Sequence, residues 1–139
     1  MYAVEKAIYV REEQLAQIAS GDKTTVRRAL LPTQYIAEPT VWTKRMDLIQ
    51  AIGEKHKGIV YQVGNIYPLV ISGKPPIQTP HTVRLLDIER QPVALITDAE
   101  AKAEGWGGRT SFLLAWGANN PMEITECWVL AFELVDGSN

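Results

Sequence analysis

The chain has 139 residues, 46% hydrophobic and 22% charged, with a net charge of −2. That balance suits one folded domain with one core over residues 1–139 and excludes a disordered chain. It also disfavours a general polyanion binder, while the single cysteine, Cys127, excludes an internal disulfide.

Val4 to Val10 reads as a strand, with Lys6, Ile8 and Val10 alternating against Ala7 and Tyr9. EEQLAQIAS follows as a short helix, acidic in its first turn, with Leu15, Ile18 and Ala19 on one face. Gly21 is placed to end it, because glycine readily takes the left-handed conformation. Asp22 to Arg28 then leads into an extended segment. Pro32 and Pro39 interrupt the chain, and TKRMDLIQAIGEK spaces Met46, Ile49 and Ile52 for a second helix, with Gly53 ending it and Lys55–Gly58 as an exposed turn.

From Gly58 the pattern turns β-like. IVYQV, IYPLVI and HTVRLLDIE are rich in β-branched and aromatic residues. SGKPPIQTP between two of them reads as a proline-rich loop, and the doubled apolar pair in VRLLDI predicts a bulge or a strand buried on both faces. Thr97 followed by Glu100 is a capping box for a helix that Gly105 closes. RTSFLLAWG reads as a third helix capped by Thr110 or Ser111. CWVLAFELV closes the sequence as a strand with Trp128, Leu130, Phe132 and Leu134 on one side. The sum is an α+β fold, a small mixed β-barrel or curved sheet with peripheral helices.

Few chemical motifs stand out. His56 and His81 have no Cys or carboxylate at ligand spacing, so neither a metal nor any other cofactor is expected. There is no phosphate-binding glycine loop and no serine elbow. Cys127, inside a strand pattern, reads as a small buried hydrophobe. No apolar run reaches bilayer length, and MYAVEKAIYVREEQ has no secretory pattern. A cytoplasmic protein without membrane partners is expected.

Five segments carry a resemblance. GDKTTVRR resembles the G-K/R-K-T-x-T-x-R signature of ASCH domains, which are PUA-like β-barrels. VGNIYPL resembles the family's Gly-Asp-x-Tyr turn, and VRLLDIERQPVALIT its central strand. ITDAEAKAEGW resembles the I-T-x-x-D-A-x-x-E-G-F segment, and WVLAFEL the final strand. The order is kept over nearly the whole chain. The resemblance implies a PUA-like barrel with a cleft between barrel and helices, and binding of RNA or of a modified nucleoside or nucleotide. An enzyme on the same cleft is the alternative: a metal-independent hydrolase, either a nucleoside amidohydrolase acting on acetylcytidine or a ribonuclease. A protein-interaction module is the third reading.

Carried over residue by residue, the resemblance puts the family's catalytic lysine on Lys23 and its glutamate on Glu104. Its threonine falls on Val26, which has no hydroxyl. Lys23, Thr24, Thr25, Arg28 and Glu104 are the ligand-contacting candidates, with Lys23 and Glu104 as candidate catalytic groups. In an extended chain Thr24 shares a side with Val26, and Arg27 points away from Arg28. A Lys23–Glu104 pair could equally be structural. Asn65 stands where the turn usually carries Asp. Trp106 and Trp116 could stack on bases, but their helical context favours packing.

Overall fold

The computed structural model describes residues 7–20, 24–37 and 49–135. Among the described residues, eight strands make two sheets. β1 (Ile8–Val10), β6 (Ile66–Ile71), β7 (Ile77–Pro92), β8 (Glu126–Leu134) and β2 (Thr24–Ala29) form a five-stranded sheet in that order. β1 runs parallel to β6, and every other pairing is antiparallel. β3 (Gln34–Ala37), β4 (Ala51–Glu54) and β5 (Gly58–Gln62) form a second, antiparallel sheet. A bridge between Ile49 and Ile88 and a hydrogen bond from Gly64 N to Leu85 O tie the two together. Short helices α1 (Leu15–Ala19), α2 (Asp98–Ala103) and α3 (Arg109–Asn119) sit outside this small, nearly closed barrel. None of the described helices is long and apolar enough to cross a membrane.

β8 is the spine of the fold because both its faces are buried. Trp128, Leu130 and Phe132 join Ile8, Leu69 and Leu85 in the barrel interior. Cys127 and Val129 turn the other way, onto Val93, Ile96, Ala101 and Phe112 beneath the helices. Burying a side chain such as Phe132 contributes about 1.5–3 kcal/mol, so a strand that serves both cores is hard to displace. The shared face expected for Trp128, Leu130, Phe132 and Leu134 is observed. The bulge expected in VRLLDI is present as a register shift between Leu85 and Asp87.

Three expectations are corrected. Residues 43–48 of the predicted second helix lie outside the described residues, and from Ile49 onward the chain is extended, with Ala51–Glu54 pairing on both sides. Ile49, Ala51 and Ile52 are all buried, and Gly53, a poor helix residue, lies under the Tyr35 ring. Tertiary pairing outweighs a three-residue apolar spacing. The proline-rich loop is shorter than expected, because Ile77 and Gln78 already pair with Ile71 and Val70. Near Pro80, which has no N–H to give, the Thr79 hydroxyl donates to Leu69 O (2.8 Å) and accepts from His81 N (3.2 Å). Finally, α3 starts earlier than Thr110. Gly108 is its N-cap, and Asp98 Oδ1 accepts the Arg109 N–H at 2.9 Å.

Candidate functional site: a buried Arg–Glu pair behind the first helix

β2 sorts its side chains by alternation. Thr24, Val26 and Arg28 stand opposite Phe132, Leu130 and Trp128 and so face the barrel interior. Thr25 and Arg27 stand opposite Ala131 and Val129 and face the helices. Meeting them there is Glu104, whose position is set by the end of α2.

The capping box at the start of α2 is complete. The Thr97 hydroxyl accepts from Glu100 N (3.0 Å), and the Glu100 carboxylate accepts from Thr97 N (2.8 Å). Glu104 is the C-cap, and Gly105 follows with φ +87°. Gly105 N donates to Lys102 O, and Trp106 N donates back to Ala101 O, both at 3.0 Å. This paired arrangement is the Schellman motif. It turns the chain sharply, so that Glu104 enters the molecule while Trp106 packs against the helix-side core.

Glu104 is 3% exposed. Its Oε2 accepts from Thr25 Oγ1 at 3.0 Å and from Arg27 Nη1 in a close ion pair. Arg27 Nη2 also donates to Gln91 Oε1 (3.3 Å) and lies 3.5 Å from Glu100 Oε2. Burial pushes the Glu104 carboxyl up to about 7, although Arg27 and the Thr25 hydroxyl pull the other way. The neighbouring Cys127 thiol is pushed up to about 11, again by burial.

A recess of about 130 Å³ opens onto this pair, bordered by Tyr9, Arg11, Gln14, Glu104 and Trp106. The Arg11 guanidinium lies 3.8 Å over the Trp106 ring. Arg11 Nη2 donates to Glu13 (3.1 Å), while its buried Nε has no hydrogen-bond partner among the described residues. Gln14, itself buried, donates to Thr25 O at 3.0 Å and pins the start of β2 against the helical turn.

The candidates therefore separate. Thr25 and Glu104 meet. Thr24 is buried on the barrel side. Arg28 is on that side too, donating to Tyr9 O at 3.3 Å, with its guanidinium 5.0 Å from the Tyr9 ring. Lys23, and with it the expected Lys23–Glu104 pair, lies outside the described residues. The cation that does meet Glu104 is Arg27. Its place is readable in principle: strand alternation puts positions 25 and 27 on one face, so a Thr25 turned toward the helices brings Arg27 with it. Trp106 and Trp116 pack around Phe112, at 5.6 and 5.9 Å between ring centroids.

No family model matches the chain, and no curated protein matches it. Among solved structures, the crystal structure of protein EF3133 from Enterococcus faecalis V583, assigned to family DUF984, is similar over 97% of this chain and 83% of that one. The identity is 14% and the TM-score 0.44, a likeness too low to carry an argument about function.

Proposed function

We propose that this chain is an ASCH-like, PUA-like domain that binds RNA or a nucleoside- or nucleotide-like ligand in the recess between barrel and helices. The observation that supports this reading most is the Thr25–Arg27–Glu104 cluster behind an Arg11 stacked on Trp106. A planar guanidinium backed by an indole offers its outer face to a base. The buried Arg11 Nε–H, without a partner among the described residues, can donate to a base carbonyl or phosphate oxygen that enters the recess. Behind it, the Glu104 carboxyl accepts hydrogen bonds when ionised and donates one when protonated. Arg28 also borders the recess, whereas Lys23 and Thr24 remain part of the proposal through the sequence resemblance alone.

A backbone amide NMR titration tests this, first with a short single-stranded RNA and then with acetylcytidine. Saturable shifts at Thr24–Arg28 together with Glu104–Trp106 are expected, weakened by Trp106→Ala. Salt-sensitive shifts scattered over the lysines and arginines would sink the reading.

A hydrolytic reading has one observation in its favour. The Thr25 hydroxyl donates to a carboxyl held near neutrality, the arrangement of a nucleophile, or of a water in its place, beside a general base, with Arg27 at hand for developing negative charge. Turnover of acetylcytidine that disappears in Thr25→Val and Glu104→Gln would put this reading first. Binding without turnover leaves it second.

A further inference from the structure

A larger cavity, of about 350 Å³, lies on the other side of β2, between the two sheets. Tyr9, Arg28 and Trp128 line it from the five-stranded sheet; Gln34, Ile52 and Tyr61 line it from the three-stranded one. Among its described lining residues Arg28 is the one cation and Glu54 the one carboxylate. Glu54 is already satisfied, by Lys57 Nζ at 3.3 Å and by Gln34 Nε2 at 3.4 Å. Arg28 is not: it makes one hydrogen bond, to Tyr9 O, and no described carboxylate pairs with it.

A guanidinium inside a protein without a counter-charge is costly. Burial pulls the Arg28 pKa down, while Tyr61 and Tyr9 act in the opposite sense. The rings around it have already committed their polar ends. Trp128 Nε1 donates to Gln34 Oε1 at 2.8 Å, and the Tyr61 hydroxyl donates to Ala7 O at 2.5 Å. What they present to the cavity is apolar surface. One end of the cavity therefore asks for negative charge, and the remainder asks for a flat, apolar body.

We propose that the inter-sheet cavity binds a small planar anion, a carboxylate or a phosphate monoester on a flat ring. The anionic group is held by the Arg28 guanidinium, and the ring packs among Tyr9, Tyr61 and Trp128. Arg28 suits this because its fork binds either oxyanion through two parallel hydrogen bonds. The cavity adjoins the Glu104 recess and shares Tyr9 and Arg28 with it, but Glu104 does not line it.

Calorimetry on the full chain with benzoate, phenyl phosphate and uncharged benzamide tests it, alongside amide NMR. One-to-one binding of at least one anion is expected, with no heat from benzamide and with shifts centred on Tyr61 and Trp128 rather than on Glu104. A preference between the two anions identifies the charged group. Arg28→Met is expected to weaken binding roughly 30-fold or more, the size typical of removing one partner of a buried charge pair. Because Arg28 also links β2 to β1, that variant can fail to fold. Val60→Phe then decides, since Val60 lines the cavity and packs on the barrel core, so the larger side chain narrows it without altering charge. Absence of saturable binding by both anions, equal binding of benzamide, or undiminished affinity in a folded Arg28→Met or in Val60→Phe overturns the proposal.

Discussion

Arg27 and Arg28 are consecutive residues of β2, and their guanidiniums lie on opposite sides of the strand. Arg27 is buried with Glu104 beneath the helices; among the described residues Arg28 meets the Tyr9 carbonyl and ring in the barrel interior. Two residues of identical chemistry therefore carry different obligations. One completes an internal ion pair, and the other faces a cavity with no carboxylate paired to it among the described residues.

Removing Arg27 strands a carboxylate. Above pH 7, where Glu104 is ionised, Arg27→Met is expected to cost about 3–5 kcal/mol, the usual consequence of breaking a buried pair from one side. Adding Glu104→Gln should restore much of that loss, because a neutral amide can still accept from Thr25. Urea unfolding of the two single variants and the double variant at pH 8 checks this. Additive losses in the double variant would mean that the two side chains are not coupled.

The same carboxyl makes stability depend on pH. Its folded pKa, about 7, lies above the ordinary 4.5, so between those values the native state holds more protons than the unfolded chain. Stability then falls as pH rises through that window, by roughly 3 kcal/mol in all, because each pH unit crossed removes about 1.4 kcal/mol. Glu100 and Asp98 have lowered pKa values, chiefly from the backbone N–H groups of Thr97 and Arg109 respectively. Their contribution has the opposite sign and is lost as pH falls below the ordinary carboxylate range. Thermal melts from pH 4.5 to 7.5 should therefore decline for the wild type and flatten for Glu104→Gln. A wild-type profile already flat across that window would place the Glu104 pKa near its ordinary value.

Much of this architecture can be read from local chemistry. The capping box, the closing glycine of α2 and the VRLLDI bulge depend on residues a few positions apart, and all are present. The segment around Ile49–Glu54 misleads because its apolar spacing fits a helix turn, whereas pairing with β3 and β5 decides its state. The site is half legible. Glu104 and Thr25 are both candidates from sequence and do meet, at a separation of 79 residues. Arg27 escapes that reading because which side of β2 faces the helices depends on β8, about a hundred residues on, and nothing local announces it. The inter-sheet cavity needs both sheets in place before it exists, so no stretch of sequence could signal it.

The first turn of α2 carries an exposed cap whose worth can be isolated. Thr97→Ala removes the acceptor for Glu100 N and is expected to cost about 1 kcal/mol. Asp98→Ala releases Arg109 N, the first backbone N–H of α3, and should loosen that helix as well. Hydrogen exchange at the Glu100 and Arg109 amides separates the two effects: Thr97→Ala should speed exchange at the first alone, and Asp98→Ala at the second. Equal acceleration at both amides in either variant would show that the two helix starts open as one unit.

Gly105 and Gly58 both have left-handed backbones, with φ of +87° and +77°, but their surroundings differ. A methyl group on Gly58 would meet open space, while one on Gly105 would approach Glu13 Cβ to 3.2 Å and Gln14 Cγ to 3.4 Å. Gly58→Ala should therefore cost about 1 kcal/mol from backbone conformation alone. Gly105→Ala should cost about 2 kcal/mol, because the 3-10 turn Glu12–Gln14 that precedes α1 must also move aside. Since Glu104 precedes that glycine, and Gln14 holds β2 through Thr25 O, the substitution should also admit water to the Arg27–Glu104 pair and reduce the pH dependence described above. Urea midpoints for both variants, with a pH series for Gly105→Ala, check each part. Equal losses would mean that the close approach of the helical turn to Gly105 is relieved without cost, and an unchanged pH profile would uncouple the helix terminus from the buried pair.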